Sequence, residues 1–344
     1  MATQCLQLKN RAYQLVKRSP ITGEERAVID VLGAPSVDLS GVPPNMVVPT
    51  MATEARRGIS LLEGLDGLYH LPREVPIDKG AHTEGARVSK WPRVEPREGQ
   101  LTFATKGRDL AEWQQMENIL WWLLNVDGPC YLRVFDHDGS FRELAVQLRQ
   151  SPADKYKNDI GMRAYAIHLI DYIAADPFWY SEELNVTITR SQMKLNSSTG
   201  WYEGVVPVEN PTDWRCFLEW AQAPMTPGAP EKWVITDAVR APADPDDLSN
   251  LVFGREIPIP ELSAGSEFLI RTHPSPEGLW IETLDDRQLP SEIPGIQPEN
   301  ALPAHLVDPV LLPIKMKGGT PNSAVTCFMP QRWQRYVGGQ KVVF

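Results

Sequence analysis

Cysteine is scarce in this chain of 344 residues, which contains only Cys5, Cys130, Cys216 and Cys327. No two of them form a C-x-x-C pair, and their separations exceed the spacing of zinc-finger ligands. The pattern therefore gives no zinc module and predicts isolated thiols in a reducing compartment.

Long hydrophobic runs are also absent. The longest, "ILWWLL", is far short of the roughly 20 apolar residues that span a bilayer. The first ten residues, "MATQCLQLKN", lack the apolar segment of a signal peptide. We therefore expect a soluble protein, made in a cytoplasm, with no membrane partner.

Basic residues are outnumbered: 34 Lys and Arg stand against 44 Asp and Glu, for a net charge of −10. Wrapping duplex phosphates requires a basic face, so the composition excludes a sequence-specific nucleic-acid partner. It does not exclude a protein past which DNA slides without sticking.

Catalytic motifs are missing as well. The chain has no G-x-S-x-G, P-loop or G-x-G-x-x-G, and its six histidines form neither H-x-x-x-H nor H-x-H. His168 falls in a strand pattern, and we interpret it as hydrogen-bonded and half-buried rather than as a catalytic base. The sequence thus predicts no catalytic residue, metal site or cofactor, and no enzyme.

Proline is abundant, with 31 scattered residues, which indicates strands joined by ordered loops. Short alternating runs along most of the chain predict a mainly β fold. In the C-terminal half they recur about every 10 to 25 residues between Pro, Gly and Asp turns, which is typical of a β-sandwich.

One long helix is predicted, at residues 108–125, with Asp109 as N-cap and Asn125 as its stop. Its apolar residues form one stripe, which Trp121 and Trp122 widen, so we expect contact with another domain or subunit. The residues assigned to helix packing or a subunit interface are Trp113, Met116, Leu120, Trp121, Trp122 and Leu124.

The segment "YLRVFDHDGSFRELAVQL" places three ligand-type residues in a row, Asp136, His137 and Asp138. An EF-hand needs more acidic ligands, and glycosidase carboxylates face each other from different strands. We interpret these residues as a hairpin tip in which Gly139 permits the turn.

Tryptophans crowd the C-terminal half. Stacked on sugar rings they would make a carbohydrate-binding module, whereas buried they would form a sandwich core or a subunit interface. The candidate glycan-stacking residues are Trp214, Trp220, Trp233 and Trp280.

The order of these elements resembles the distal tail proteins, or minor tail proteins, of siphophages, and in particular actinobacteriophage members. The resemblance covers most of residues 85–340, through the helix, the "DG…R.L.V" hairpin, "DPFWY", "VENPTDWRCFLEWAQAP", "LSAGSEFLIRT" and "SAVTCFMPQRWQRYVGG". It departs from the family at Thr212, where glycine is usual, at Arg271, where Asp is common, and at Gln331, which separates Pro330 from Arg332.

The resemblance implies a fold and its domains. Residues 1–190 would form a tail-tube-like β-sandwich domain with the helix, and residues 191–210 a crossover linker. Residues 211–344 would form a galectin-like β-sandwich with a C-terminal tail.

It also implies a structural virion protein at the distal end of the tail. Six copies would close into a ring that joins the tail tube to the tip or baseplate and forms part of the DNA ejection channel. The partners would be other copies of the chain, the tube protein, the tail hub, the tape-measure protein in the lumen and receptor-binding proteins. Six charges of −10 sum to about −60, so we hypothesise an acidic lumen that repels DNA.

Two other functions stay open at this point. The C-terminal sandwich could be a carbohydrate-binding tail-tip module for attachment to the host surface. An envelope-degrading hydrolase is the third class, and the missing acid/base pair argues against it.

Overall fold

The chain divides into two compact units in the computed structural model. The first unit is Met1–Trp179 with Gln334–Gly338, and the second is Tyr180–Trp333 with Gly339–Phe344. The described residues are 13–18, 25–33, 58–63, 66–78, 87–88, 93–124, 128–136, 138–152, 163–222, 230–240, 252–261, 267–273, 281–283 and 298–339.

The described part of the first unit contains one helix and mainly β-strands, as the sequence predicts. Its elements are β1 (Tyr13–Arg18), β2 (Glu25–Gly33), β3 (Gly58–Glu63), β4 (Arg73–Glu74), β5 (Ile77–Asp78), β6 (Arg87–Val88), β7 (Arg93–Val94), β8 (Arg97–Lys106), α1 (Leu110–Leu123), β9 (Cys130–Phe135), β10 (Phe141–Leu148) and β11 (Tyr165–Ala174), and β12 (Trp179–Tyr180) starts at its last residue.

Seven of these strands form a sheet that closes on itself. The order is β11-β8-β3-β2-β1-β9-β10, and β10 pairs again with β11. The closing pairs are Gln147 with Ile173 and Leu148 with Tyr172. Only β2 and β3 run parallel; the other pairings are antiparallel. The sequence did not predict this closure. Each strand can be recognised from its own residues, but the two pairs between β10 and β11 cannot.

The interior of the closed sheet is apolar. Leu15, Leu132 and Leu144 stand opposite one another across β1, β9 and β10, and all three are fully buried. Helix α1 packs against β8, β3 and β1. The helix and the sheet therefore share one core.

A two-stranded ribbon is formed by β4 with β7 and β5 with β6. Its pairs run antiparallel, from Arg73 with Val94 to Asp78 with Arg87. Among the described residues, neither half of the ribbon pairs with the closed sheet.

The second unit is built from two five-stranded sheets. Their orders are β13-β24-β16-β21-β22 and β14-β15-β23-β17-β20, and β18 pairs with β19. The bounds are β13 (Leu184–Thr189), β14 (Lys194–Asn196), β15 (Trp201–Asn210), β16 (Glu219–Gln222), β17 (Glu231–Thr236), β18 (Val239–Arg240), β19 (Val252–Phe253), β20 (Glu256–Pro258), β21 (Phe268–Arg271), β22 (Ile281–Thr283), β23 (Leu306–Gly318), β24 (Ala324–Met329) and β25 (Arg332–Trp333), with a 3₁₀ turn at Arg190–Gln192.

One hydrophobic core joins these two sheets. Trp220 from β16 and Trp233 from β17 lie in it, fully buried, with Val206 from β15 and Ile314 from β23. Alternation along β15 and β23 sends every second residue into this core, as expected for strands with one solvated face.

The units of the structure divide the chain differently from the predicted domains. The predicted linker, residues 191–210, contains β14 and β15, and β13 pairs with β24 within the second unit. Residues 334–338 belong to the first unit, although the prediction placed them in a tail of the second domain. The predicted linker includes Val206 and Val208, but both are core residues on β15.

Candidate functional site

Helix α1 is the feature that the sequence marks most clearly. Asp109 caps it: its carboxylate accepts a hydrogen bond of 2.9 Å from the Glu112 backbone N–H. The structure brings together several of the predicted packing residues, because four side chains on one side are buried: Trp113, Leu120, Leu123 and the C-cap residue Leu124. Asn125, the predicted stop, lies outside the described residues.

The opposite side of α1 is exposed. Trp122 is 46% exposed and Leu110 is 47% exposed, whereas Met116 is half-buried. A large aromatic ring that stays in solvent within one copy is typical of a protein–protein contact. Among the residues predicted for a subunit interface, Trp122 is therefore the one available to another chain.

A buried polar cluster lies between α1 and the sheet. Glu117 accepts hydrogen bonds from the Thr105 hydroxyl and, at 3.0 Å, from the Trp121 indole N–H. His168 Nε2 lies 2.8 Å from Glu117 Oε1, and the Trp113 indole donates to Thr105 at 3.2 Å. Trp121 is therefore held against the sheet and is half-buried.

The cluster keeps Glu117 ionised. Burial raises its pKa, but the hydrogen bonds from His168 and Thr105 lower it more, so the pKa lies below its usual value. The carboxylate thus acts as a buried acceptor that fixes α1 on β8 and β11. Sequence reasoning placed His168 as a hydrogen-bonded strand residue but did not find its partner, which lies 51 positions away.

The acidic hairpin is a turn. Asp136 and Ser140 are joined by a backbone hydrogen bond of 2.8 Å, and the Asp138 carboxylate accepts hydrogen bonds from the backbone and hydroxyl of Ser140. Gly139 has φ of +86°, a left-handed conformation in which glycine is favoured. His137 lies outside the described residues. In the part of the chain that the structure describes, no group of three or more His, Cys, Asp or Glu could hold a metal ion.

Two of the four candidate glycan-stacking aromatics are core residues. Trp220 and Trp233 are fully buried in the core of the second unit, and Trp214 is half-buried. Trp280 lies outside the described residues. The alternative in which Trp220 and Trp233 stack on sugars does not fit the structure, because both rings fill the space between the two sheets.

A buried arginine, which sequence reasoning missed, organises the first unit. Arg97 is fully buried, and burial lowers its pKa to about 10, so it stays charged at neutral pH. Among the described residues, no carboxylate pairs with its guanidinium, which donates instead to five backbone carbonyls. These belong to Gly67, Leu68 and His70, at 3.0, 3.0 and 2.7 Å, to Gln334, at 2.5 Å, and to Pro177.

The segment that reaches this arginine comes from the far end of the chain. Arg142 donates to the carbonyls of Arg335 and Gly338 at 2.6 and 2.8 Å. The Tyr336 ring packs edge-on against the Tyr69 ring at a centroid distance of 5.5 Å. Residues 334–338 are therefore bonded into the first unit by two arginines.

The buried cysteines are not reactive sites. Cys130, Cys216 and Cys327 are free thiols inside their units. Burial raises the pKa of Cys130 and of Cys216 to about 12, and that of Cys327 well above its usual value. Thiols that stay protonated at neutral pH are poor nucleophiles and poor metal ligands.

Comparison with known proteins gives one curated relative. The chain is 21% identical over 332 residues to minor tail protein Gp27 of Mycobacterium phage L5, covering 83% of this chain and 94% of that protein. No family model matches the chain. The predicted resemblance to phage minor tail proteins is confirmed by this relative.

Two of the solved structures to which the chain is similar also come from phages. The SPP1 Dit (gp 19.1) protein, described as a hub adsorption apparatus of phages that infect Gram-positive bacteria, is 13% identical, with a TM-score of 0.46 over 80% of this chain and 93% of its own. A chain of the phage p2 baseplate in its activated conformation is 11% identical, with a TM-score of 0.49 over 94% and 98%.

Proposed function

We propose that this protein is a structural, non-enzymatic component of a phage tail that forms a six-membered ring at the tail's distal end. The ring joins the tail tube to the tail tip or baseplate and forms part of the channel for DNA ejection. Its neighbours are the tube protein, the tail hub, the tape-measure protein in the lumen and receptor-binding proteins.

The observation that carries this proposal is the similarity to a minor tail protein over nearly the whole length of that relative. A match confined to one unit would support only a shared module. Because the similarity spans both units, we extend the relative's tail location to this chain.

Two features of the first unit support the proposed assembly. The two end strands of the closed sheet are joined within one copy, because β10 bonds to β11 at two residue pairs. This closure leaves less free sheet edge than an open β-domain would offer, which favours ring contacts through side-chain surfaces. Trp122 on α1 is a large apolar side chain available for such a contact.

The oligomeric state of the purified protein tests the ring. We expect light scattering to give six times the monomer mass, and class averages in electron microscopy to show six-fold symmetry. A monodisperse monomer at micromolar concentration would contradict the ring, and three-fold averages would contradict its symmetry.

Antibody labelling of intact virions tests the location separately. We expect gold particles at the distal end of the tail, and labelling along the tube would refute that position. The lumen hypothesis has its own test, since a reconstructed ring with a neutral or basic pore would refute an acidic channel.

A further inference from the structure

We propose that a groove in the second unit binds an extended segment of a second polypeptide, which adds as a strand beside β15. The groove, called the edge groove here, has a volume of about 1060 Å³ and lies between β13 and β15. The inference deepens the proposed function and rests on it for the source of the segment, which is another protein of the tail.

The edge groove exists because β14 is much shorter than the strand with which it pairs. The pairing runs only from Asn196 with Trp201 to Lys194 with Glu203. Beyond Glu203, among the described residues, β15 pairs with β23 on one side and with no strand on the other. β13, the opposite wall, is likewise paired only with β24 in the part of the chain that is described.

Two prolines show which backbone groups face the edge groove. Proline has no N–H to donate to a partner strand. Within a hydrogen-bonded ladder it therefore occupies a position whose nitrogen points away from that partner strand. Pro207 stands opposite Leu311, and Pro313 stands opposite Val205, in the ladder between β15 and β23. In each of these two pairs, therefore, the opposing residues do not exchange backbone hydrogen bonds. It follows that the N–H and C=O of Val205 and the C=O of Pro207 point to the unpaired side.

Unpaired strand groups define the chemistry of the occupant. A donor and two acceptors spaced along an extended backbone match the acceptors and donors of another extended backbone, which is the basis of strand addition. Val205 and Leu195, which both line the edge groove, are each 50% exposed. Apolar side chains beside free backbone groups indicate a surface that a partner covers.

A glycine shapes the inner end of the edge groove. A Cβ added at Gly204 would lie only 2.9 Å from Ile188 Cδ1 and from Met193 Cγ. The missing side chain thus allows β13 and the 3₁₀ turn to pack against β15. The chain leaves the edge of β15 there, which is why β14 does not extend along Val205 and Pro207.

Charge at the end nearest β14 favours an acidic segment. Lys194, Glu203 and Lys315 lie side by side in register across β14, β15 and β23. Glu203 accepts a hydrogen bond of 3.1 Å from the Asn196 amide, and Lys315 pairs with Glu256 at 2.5 Å. Lys194 is exposed and has no ion pair among the described residues. A carboxylate on the terminal residue of the added strand, beside Val205, would lie on the same face of the sheet as the Lys194 side chain and within its reach.

A sugar fits the edge groove less well than a polypeptide. The described residues that line it include no aromatic ring on which a pyranose could stack. The carbohydrate alternative therefore enters the experiment as a competing outcome.

Peptide binding to the full-length protein tests the proposal. The probe is a fluorescein-labelled peptide of alternating valine and threonine that ends in aspartate, and we expect a saturable rise in fluorescence anisotropy. Val205→Pro removes one donor on the unpaired side and should weaken binding roughly 3- to 10-fold. Val205→Thr keeps that donor and is the matched control. Equal affinity of the proline and threonine variants would overturn strand addition.

Two further measurements do not depend on how well the proline variant folds. Two versions of the peptide are N-methylated at alternate residues, one at odd and one at even positions, so each lacks N–H groups on one side of its backbone. One of these two peptides must lose binding to the wild-type protein. Lys194→Glu should weaken binding of the peptide that ends in aspartate and strengthen binding of a peptide that ends in lysine. Equal binding of all peptides, or binding of chitotetraose without binding of any peptide, would refute the inference.

The outcomes separate this inference from the proposed function. If the protein is monomeric but binds the peptide in this way, the edge groove stands and the ring fails. If six-fold rings form and the peptide does not bind, the ring stands and the edge groove is refuted as a strand-binding site.

Discussion

Replacing Arg97 by methionine should destabilise the first unit selectively. Methionine keeps most of the apolar stem and removes every hydrogen-bond donor of the guanidinium. Five carbonyls then lose their partner, those of Gly67, Leu68, His70, Pro177 and Gln334.

The size of the effect follows from which carbonyls can be satisfied otherwise. The Leu68 carbonyl keeps the Trp179 indole N–H at 3.1 Å, and three of the others lie in partly buried contacts that water can reach. The Pro177 carbonyl is buried and loses its donor. An orphaned buried acceptor costs about 1 to 3 kcal/mol, and exchanging protein donors for ordered water adds a smaller amount. Relief of the desolvated cation offsets part of this, so we expect about 2 to 4 kcal/mol.

Hydrogen exchange measured by mass spectrometry can assign this loss to one unit, which a single unfolding curve cannot do for a two-unit chain. Peptides covering residues 66–70 and 334–338 should lose protection, whereas β15 and β23 should keep theirs. Arg149→Met is the control, because the Arg149 side chain is exposed and pairs with the exposed Glu98 at 2.8 Å. Equal protection in the Arg97 and Arg149 variants would refute the role assigned to the buried guanidinium.

Three further substitutions probe the helix and the hairpin. Leu120→Asp places a charge in the fully buried part of the α1 stripe and should abolish folding or ring assembly, whereas a soluble variant that is still hexameric would contradict our view of the helix. The pKa of Glu117 is lowered in the fold, so its ionised form stabilises the protein above the usual value of 4.5, and this contribution is lost as pH falls through the folded pKa. In urea titrations between about pH 3 and 6, Glu117→Gln should therefore reduce the fall in the free energy of unfolding that accompanies acidification. An unchanged fall would exclude the Glu117 carboxylate as its source. Gly139→Val forces a β-branched residue into a left-handed turn and should cost about 1 to 2 kcal/mol in thermal unfolding, with Ser140→Ala as a milder control; an unaffected melting temperature would mean that the turn rearranges.

Local patterns were enough to predict several elements. The hairpin strands "CYLRVF" and "FRELAVQL" coincide with β9 and β10, and Asp109 is the N-cap of the helix. Each of these signals lies within a few neighbouring residues: alternation in a strand, a side-chain oxygen before the first helical turn, or a glycine in a tight turn.

Long-range features could not be predicted in the same way. The bonds from Arg97 to Gln334 and from His168 to Glu117 span 237 and 51 positions, and nothing beside either residue in the sequence indicates its partner. An arginine surrounded by carbonyls leaves no acidic partner to search for. Trp220 shows the same limit, because the residue type alone does not tell whether a tryptophan lies in a core or on a glycan-binding surface.

The route by which residues 334–338 reach the first unit has a consequence for synthesis. A ribosome adds about 5 to 20 residues per second, so roughly 10 to 50 seconds pass between translation of Arg97 and of Gln334. Throughout that interval the nascent first unit lacks one acceptor for Arg97 and two acceptors for Arg142. The described strands of the second unit all precede residue 334, so this unit can fold first. Completion of the first unit therefore waits for translation of residues 334–338, and a chain cut short before residue 334 would carry an unfinished first unit into any attempt at assembly.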